Sequence, residues 1–273
     1  MSVDRSSTDV NLHAVQDSFS AQSPVFDTID EANPLIKWVR DRVRAEAMRY
    51  MNSGERMLEV NAGTGLDSIW FAERGIHVMA TDNAPGMLAE LERKKSTRPE
   101  LPLEVMHCDF HQLEAFEAHS FDHVFSNFGG LNCTDRLDVV LRGIDHVLKP
   151  GGHCTLVIMP RTSPWELIEL LRGNVRMAGR RFKKGGAPAQ VEGVRFQCYY
   201  HDTSFVRRQL RRYRVRSLMA LSFFVPPPHL APFAARHPRF TRLLERLENA
   251  TCKWPLLRGC GDHYLITLQK PLS

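Results

Sequence analysis

A glycine-rich turn separates a short apolar run from a helical pattern in the first third of the chain. The run covers residues 57–60, the turn covers residues 61–65, and the helical pattern follows directly. Because Gly63 and Gly65 carry no Cβ atom, the backbone can bend sharply there and approach a ligand closely. The free N–H groups at the start of the helix face the same ligand. This pattern predicts a cradle for a nucleoside.

The residues around the turn discriminate among the ligands that such turns bind. A phosphate-binding P-loop ends in Gly-Lys-Ser/Thr, and no such ending follows Gly65. The dinucleotide fingerprint requires a third glycine or alanine where this chain has Ser68. The next predicted strand, residues 76–81, ends in Asp82. A carboxylate at that point could accept hydrogen bonds from both hydroxyls of a ribose.

The turn resembles a family motif. Glu59, Asn61, Gly63 and Gly65 are similar to the acidic-x-Gly-x-Gly-x-Gly motif of class I S-adenosylmethionine (SAM) methyltransferases, with Asn61 in place of the first glycine. Asparagine accepts a positive φ better than other non-glycine residues do. Residues 148–152 resemble the turn that precedes strand five in that family. The resemblance covers roughly residues 55–160 and the final strand.

The resemblance implies SAM as the cofactor and assigns several residues to it. Asp82 matches the acid that binds the ribose, Asp109 the acid that contacts adenine, and Asn127 the start of the motif after strand four. Met87 stands where the family places an apolar side chain against adenine, although a core methionine is an alternative. The residues implied to contact the cofactor are Glu59, Asn61, Ala62, Gly63, Gly65, Asp82, Asn83, Met87, Asp109, Phe110, Asn127 and Phe128.

The fold class follows from the alternation of apolar runs with helical patterns. Such alternation predicts an α/β domain with a doubly wound, mostly parallel sheet. The chain has 273 residues, of which 43% are hydrophobic, and this suits one domain with an elaboration. The resemblance implies a Rossmann-like sheet of seven strands whose last strand is antiparallel and lies at the sheet edge.

We divide the chain into five segments. Residues 1–23 are polar and predict a mobile segment. Residues 24–54 predict helix, interpreted as a lid over the cofactor, as a core-packing element, or as both. The cofactor-binding core covers residues 55–160. Residues 161–212 predict a helix at 162–177 and an inserted cap. Residues 213–273 predict strands that complete the sheet, with a proline-rich insertion.

Candidates for the acceptor side come from the carboxyl ends of the strands, where ligands bind in open α/β sheets. Asn132 and Cys133 follow strand four, Trp165 follows strand five, and residues 199–201 end the strand of the cap. His201 could act as a base for a hydroxyl nucleophile, or it could be a solvated histidine at a helix start. The substrate-pocket candidates are Trp38, Asn132, Trp165 and Tyr199, and the catalytic candidates are Asn127, Tyr200 and His201.

Several classes of partner are disfavoured by the sequence. The motif after strand four lacks the Pro-Pro-Tyr/Phe and Pro-Cys patterns of the nucleic-acid methyltransferases. The basic residues at 172–184 and 207–212 lack interleaved aromatic residues, which favours a solvated face over a nucleic-acid surface. His107, Cys108, Asp109 and His111 alternate along a strand and cannot converge on one metal ion. We therefore predict no metal, and the sequence disfavours a nucleic-acid partner.

Compartment and substrate are predicted from composition. No apolar run is long enough to span a bilayer, and the six cysteines form no C-x-x-C pair. These features predict a cytoplasmic protein with free thiols. The net charge of +5 and pI near 9.0 permit acidic partners without requiring them. Residues 223–228, rich in phenylalanine and proline, suggest an apolar pocket for a small natural-product or lipid-like acceptor.

The sequence thus predicts a SAM-dependent methyltransferase of secondary metabolism that acts on oxygen, nitrogen or carbon of a small molecule. Three alternatives keep the same fold. The protein could consume SAM itself and release methylthioadenosine, it could methylate RNA, or it could bind SAM without catalysis. The oligomeric state is left open.

Overall fold

A central sheet and a separate hairpin contain the strands. The computed structural model describes residues 7–171, 173, 175, 179–183 and 185–272. The strands of the sheet are β1 (Arg56–Val60), β2 (His77–Asp82), β3 (Leu103–His107), β4 (Phe121–Ser126), β5 (Leu148–Ile158), β8 (Arg214–Leu221) and β9 (His263–Gln269). The hairpin consists of β6 (Ala187–Val191) and β7 (Val194–Cys198). The order across the sheet is β3-β2-β1-β4-β5-β9-β8.

Helices cover both faces of the sheet and extend beyond it. In the described part of the chain they are α1 (Ser7–Ala32), α2 (Pro34–Met48), α3 (Leu66–Ala72), α4 (Pro85–Ser96), α5 (Leu137–Val147), α6 (Pro164–Leu171), α7 (Thr203–Gln209), α8 (Ala231–Arg236) and α9 (Pro238–Thr251). No helix among these described residues is long and apolar enough to cross a bilayer.

The strands β1 to β5 are parallel to one another, which confirms the predicted doubly wound sheet. Met57 and Leu58 are consecutive, so their side chains point to opposite faces, and both are fully buried. Each belongs to a different hydrophobic cluster, one on either side of the sheet. A sheet covered on both faces buries its central strands, and β1 and β4 are each buried at all but one residue.

The last strand lies inside the sheet, contrary to the expected edge position. β9 pairs antiparallel with β5 on one side and with β8 on the other. Residues 264–268 of β9 are all buried, so this strand has the apolar character of an interior strand. β8 forms the edge instead, and its first residues are exposed or half-buried. The C-terminal strands nevertheless complete the sheet.

The predicted mobile segment is wrong from Ser7 onward, because residues 7–32 form α1. Residues 1–6 lie outside the described residues. α1 packs against α4 and the hairpin, and its polar side chains satisfy buried backbone groups. Asn11 Nδ2 donates to the carbonyls of Cys133 (3.0 Å) and Gln197 (3.1 Å), and its Oδ1 accepts from the Gln197 N–H at 2.6 Å. Asn11 therefore joins α1 to two other segments of the chain.

The region interpreted as a cap also differs from the prediction. The predicted helix 162–177 begins at Pro164, and its residues 172, 174, 176 and 177 lie outside the described residues. The strand pattern before residue 200 is the second strand of the hairpin, which packs against α1. Arg181, interpreted as part of a solvated basic face, is only 2% exposed and pairs with Glu166 and Asp262.

A small helical unit near the C-terminus packs against the start of α2. Asn33 caps α2 by accepting hydrogen bonds from the Leu35 and Ile36 N–H groups, and its Nδ2 donates to the carbonyl of Pro228 at 3.0 Å. Leu35 packs with Leu244 of α9, so α8 and α9 form a small helical unit against the start of α2. The junction between α1 and α2 is therefore held by the C-terminal part of the chain.

Candidate functional site

The turn after β1 has a left-handed backbone at three positions. The φ angles are 55° at Asn61, 58° at Gly63 and 80° at Gly65. A Cβ atom on Gly65 would lie 2.0 Å from Cδ1 of Leu91, so this glycine is required by the packing of α4. A Cβ atom on Gly63 would meet only the Met87 sulfur, at 4.0 Å, and both residues line a cavity. Gly63 thus leaves space for a ligand, whereas Gly65 leaves space for protein.

Asn61 replaces the first glycine of the motif and ties two loops together. Its Oδ1 accepts from the Ser126 hydroxyl at 2.7 Å, and its Nδ2 donates to the Asn127 carbonyl at 3.2 Å. Gly130 lies so close that a Cβ atom there would be 2.4 Å from Asn61 Cγ. The departure from the motif therefore fixes the loop after β4 beside the turn after β1.

Asp82 at the end of β2 is oriented by backbone donors. Its Oδ2 accepts from the Gly63 N–H and its Oδ1 from the Ala84 N–H, both at 2.8 Å. Burial raises the pKa of Asp82 above its ordinary value, although these N–H groups oppose the shift. Because a carboxylate oxygen has two lone pairs, each oxygen of Asp82 keeps acceptor capacity beside the cavity.

Asp109 is held by a histidine that the sequence analysis assigned no role. Asp109 Oδ1 accepts from the His111 backbone N–H at 2.9 Å and lies 2.7 Å from His111 Nδ1. Since a carboxylate accepts, Nδ1 donates to Asp109, and Nε2 on the other side of the ring lies 2.8 Å from the Thr134 hydroxyl. Burial would raise the pKa of Asp109, but the hydrogen bonds from His111 lower it below its ordinary value. The second oxygen, Oδ2, remains available.

A buried network of charges lies at the other end of the cavity. Arg40 Nη1 donates to Asp67 at 2.6 Å, while its Nε and Nη2 donate to Asp30 at 3.2 and 2.5 Å. Arg44 Nε also donates to Asp67, at 2.6 Å, and Asn127 Nδ2 does so at 2.9 Å. The Arg40 side chain is 7% exposed. Buried charges are stable only when paired and hydrogen-bonded, as these are.

Glu59 lies against this network without an arginine of its own. Its Oε2 accepts from the Ser68 hydroxyl at 2.5 Å, and the residue is 2% exposed. Burial, together with the charge of Asp67, raises the pKa of Glu59 to about 8. Burial opposes ionisation of Asp67 as well, but Arg40 and Arg44 bring the pKa of Asp67 below its ordinary value. Glu59 is thus the one of these two carboxyls that a nearby cation would ionise.

The wall opposite the sheet consists of side chains of α1. The lining side chains recur at helical spacing and are Leu12, Val15, Gln16, Phe19 and Phe26. Asp27, one residue further along, accepts from the Thr64 hydroxyl at 2.6 Å and pairs with Lys94 of α4. α1 is therefore anchored to the glycine-rich turn itself. The lid predicted at 24–54 contributes Phe26 and Arg40, and most of the covering wall precedes it.

The cavity between these walls encloses about 990 Å³ of space free of atoms, counting its open mouth. Binding sites for small molecules span a comparable range. Its remaining lining residues, beyond α1 and Arg40, are Glu59, Asn61, Ala62, Gly63, Leu66, Asp67, Asp82, Asn83, Ala84, Met87, Cys108, Asp109, Phe110, Asn127, Phe128, Gly130 and Cys133. Every residue predicted to contact the cofactor lines this cavity except Gly65.

The predicted substrate-pocket residues lie elsewhere. Trp38 packs in the cluster between α2 and the C-terminal helices, with the Arg42 guanidinium 4.6 Å from its ring. Asn132 is buried and its Nδ2 donates to the Tyr199 carbonyl at 2.6 Å, so it joins backbone segments. Trp165 lies in α6, and its buried indole N–H has no partner among the described residues. None of these side chains lines the cavity.

Two of the three catalytic candidates are also displaced from the cavity, and only Asn127 lines it. Tyr200 is 8% exposed beneath the Arg181 guanidinium, which lies 4.9 Å from its ring. Burial lowers the pKa of His201, whose Nε2 lies 3.3 Å from the Thr134 carbonyl. These two residues stabilise the junction of the hairpin with the core.

Sequence reasoning missed Arg40, Asp67 and the α1 wall. Asp67 follows Gly65 by two residues and lies in the first turn of α3, while Arg40 and Arg44 are four residues apart on one face of α2. These spacings are visible in the sequence, but the sequence does not show that the side chains of α2 and α3 meet in space. For α1, the positions 12, 15, 19 and 26 follow a helical period that the polar composition and Pro24 obscured.

Comparison with known proteins places this arrangement in a class. The family model "Methyltransferase domain" matches residues 58–156, which is the segment from β1 to β5. The demethylmenaquinone methyltransferase of Clavibacter sepedonicus is 35% identical over 144 residues, covering 49% of this chain and 56% of the relative. That of Listeria monocytogenes serotype 4a is 31% identical over 172 residues, covering 59% of this chain and 69% of the relative. The chain thus spans about half to two thirds of the length of these relatives.

Solved structures agree in fold. The cyclase SpnF superposes with a TM-score of 0.61 at 17% identity, covering 100% of this chain and 99% of that one. The 1,6-didemethyltoxoflavin-N1-methyltransferase of Burkholderia thailandensis, in complex with S-adenosylhomocysteine, gives 0.60 at 15% identity, covering 99% and 93%. At this identity the similarity concerns the fold alone. Together with the relatives above, it defines the chain as a member of the class I SAM-dependent methyltransferase family, whose cofactor is SAM.

Proposed function

We propose that this protein binds SAM in the cavity and transfers its methyl group to a small organic acceptor held under α1. The observation that carries the proposal is that the glycine-rich turn, Asp82 and Asp109 line the same cavity as the apolar face of α1. The open space beside Gly63 supports the fit, since a Cβ atom there would take up room that a nucleoside needs. SAM, when bound, supplies an electrophilic methyl group on a sulfonium.

The nucleoside half of the cofactor suits the acids at the strand ends. The unused lone pairs of Asp82 suit the two ribose hydroxyls, and the available Oδ2 of Asp109 suits an exocyclic amino group. Met87, which is buried and lines the cavity, offers an apolar surface to the adenine ring. His111 acts as a positioning residue because it fixes the carboxylate of Asp109.

The amino-acid half of the cofactor suits the buried charge network. Arg40 has five N–H donors, of which three bind Asp30 and Asp67. The remaining donors suit a carboxylate, and Glu59 suits an ammonium group. Ionised Glu59 would then replace the neutral form that burial favours in the free protein.

The acceptor side favours positioning over acid-base catalysis. Methyl transfer from a sulfonium disperses charge, so alignment and exclusion of water supply most of the rate. Among the described residues that line the cavity there is no histidine, and the carboxyls lie on the cofactor side. Leu12, Val15 and Phe19 present an apolar surface. We therefore infer a flat or lipid-like acceptor, consistent with the demethylmenaquinone of the relatives' names.

The proposed setting is secondary metabolism or quinone modification in the cytoplasm. All six cysteines are unpaired, which suits a reducing compartment.

The test is incubation of the full chain with methyl-labelled SAM and a panel of acceptors that begins with demethylmenaquinone and includes hydroxylated and amino heteroaromatics. We expect label in an acceptor together with S-adenosylhomocysteine, and neither with the Asp82→Ala variant. If the spent cofactor is methylthioadenosine, the activity is consumption of SAM itself and not methyl transfer. Tight SAM binding with no turnover of any compound would overturn the proposed activity.

A further inference from the structure

Helix α9 exposes an apolar stripe that nothing in the described chain covers. Phe240, Leu243 and Leu247 are 49%, 51% and 41% exposed. They are three and four residues apart, so they form one row along the helix. The row lies beside the true core face, whose residues are buried and are Thr241, Leu244, Glu248 and Thr251. The stripe is therefore additional to the apolar surface that holds the helix in place.

Further exposed aromatic and aliphatic side chains precede and follow the stripe in the chain. Phe233 of α8 is 39% exposed, and its ring lies perpendicular to that of Phe240 with centroids 6.4 Å apart. After the helix, Trp254 is 59% exposed and Leu256 is 89% exposed. Contiguous exposed apolar side chains of this size mark interaction surfaces. We call the six residues the α8–α9 surface, and they are Phe233, Phe240, Leu243, Leu247, Trp254 and Leu256.

A row of arginines borders the stripe. Arg239, Arg242 and Arg246 each precede one residue of the apolar row, so they lie about 100° around the helix on its solvent side. All three are exposed. Residues 231–258 contain six Lys and Arg against two Asp and Glu, a net charge of +4 where the whole chain carries +5. Residues on and around α9 therefore carry a local excess of positive charge.

The surface is presented on a firmly held element. The Glu248 carboxylate, buried on the core side of α9, accepts from the backbone N–H groups of Phe223, Phe224 and Val225 at 3.1, 2.7 and 3.1 Å. This acid is thereby used internally and does not offset the arginines at the surface. α9 can bury its stripe in a partner without rearranging its own packing.

We propose that the α8–α9 surface binds the headgroup region of anionic lipid bilayers. A helix with an apolar stripe, arginines beside it and an exposed tryptophan suits that interface, because the apolar side chains enter the acyl boundary while arginines contact phosphates. Tryptophan side chains are enriched at the interface between the bilayer and water, at the level of the headgroups. A second copy of the chain is disfavoured as the occupant, since the arginine rows of two copies would face like charges. The surface is separate from the cavity, so it does not depend on the proposed function.

The test is co-sedimentation of the full chain with vesicles of phosphatidylcholine and phosphatidylglycerol, and with phosphatidylcholine alone. We expect binding to the anionic vesicles that weakens with salt, and at least about tenfold weaker binding to the neutral ones. The Arg239→Gln/Arg242→Gln/Arg246→Gln variant should lose about tenfold in apparent affinity. Phe240→Ser/Leu243→Ser/Leu247→Ser should lose at least as much, because the apolar contribution disappears.

A charge-matched control separates the surface from net charge. Arg207→Gln/Arg208→Gln/Arg211→Gln removes three exposed charges beside α7 and should bind vesicles within about twofold of the unaltered chain. Calorimetric SAM binding should be unchanged in all three variants. Equal binding to neutral and anionic vesicles, or equal losses in the two arginine variants, would overturn the proposal. So would a concentration-dependent dimer that the Phe240→Ser/Leu243→Ser/Leu247→Ser variant abolishes.

Discussion

The two walls of the cavity are built on different principles. On the sheet side, the contacts come from backbone turns and carboxyls whose positions follow from short segments, such as the turn at 61–65 and Asp82 at the end of β2. On the α1 side, they come from apolar side chains of a helix that lies far from the turn in the chain. The first wall suits one cofactor closely, whereas the second can change its side chains without altering the sheet. We infer that recognition of the cofactor and choice of acceptor are divided between the two walls.

The largest expected effect concerns the sheet wall. Gly63→Val should weaken SAM binding by at least about 100-fold, because φ is 58° and the new side chain would enter the cavity. Gly54→Val is a matched control, since Gly54 also has positive φ (89°) but a Cβ atom there would have no neighbouring atom within 4 Å. Both variants should lose stability, but only the first should lose binding in a calorimetric titration. Equal binding by both would remove the turn from the cofactor site.

Asp82→Ala should reduce SAM affinity by about 1–3 kcal/mol, which is roughly 5- to 150-fold, since the ribose would lose its acceptor. Asp122→Ala is the control, because this carboxylate binds Lys149 and the Arg56 N–H at the opposite end of the sheet. Calorimetry on both variants measures the difference. Unchanged affinity in Asp82→Ala would place the ribose elsewhere.

Val15→Ala tests the α1 wall. It should raise the KM for the acceptor by about fivefold, corresponding to about 1 kcal/mol of lost apolar contact, with SAM affinity within about twofold. Val10→Ala makes the same change on the same helix at a position that is 56% exposed, and it should alter neither. Steady-state kinetics with each substrate varied in turn separates the walls. A loss of SAM affinity as large as the rise in the acceptor KM would contradict the division.

Glu59→Gln tests the sheet wall through the pH dependence of the unfolding free energy. Burial raises the pKa of Glu59 to about 8, so its contribution to stability is fully present below the pKa of an unfolded glutamate and is lost as pH rises through 8. The limiting slope is a loss of about 1.4 kcal/mol per pH unit in that window. The variant should remove this part of the slope of the unfolding free energy between about pH 5 and 8. Glu104→Gln, at an exposed position, is the control.

The contrast between the walls also explains what the sequence could predict. Residues of the turn, Asp82 and Asp109 line one cavity because each lies at or just after the end of one parallel strand, where a local pattern determines position. The strands that position these residues, β1 to β4, have the expected order and direction. His111 was considered only as a metal ligand, because the orientation of its ring depends on Thr134, which is 23 residues away. Contacts of that kind are determined by packing and not by local pattern.

The acceptor side was mispredicted for two physical reasons. Tyr200 and His201 were assigned by the rule for strand ends, but β7 belongs to a hairpin outside the main sheet, where that rule does not apply. Residues 1–23 were predicted to be mobile because polar residues such as Asn11 and Ser18 suggested solvation. Both are buried, and Asn11 satisfies the backbone carbonyls of Cys133 and of Gln197 in β7.

A crystal structure with S-adenosylhomocysteine tests most directly whether the two walls enclose one cofactor site. We expect the adenosyl group beside Gly63, the ribose hydroxyls within hydrogen-bond distance of Asp82, and Val15 and Phe19 facing the sulfur across the remaining space. A ligand bound outside this cavity, or a cavity filled by protein side chains while the ligand lies elsewhere, would contradict the division of the site between the two walls.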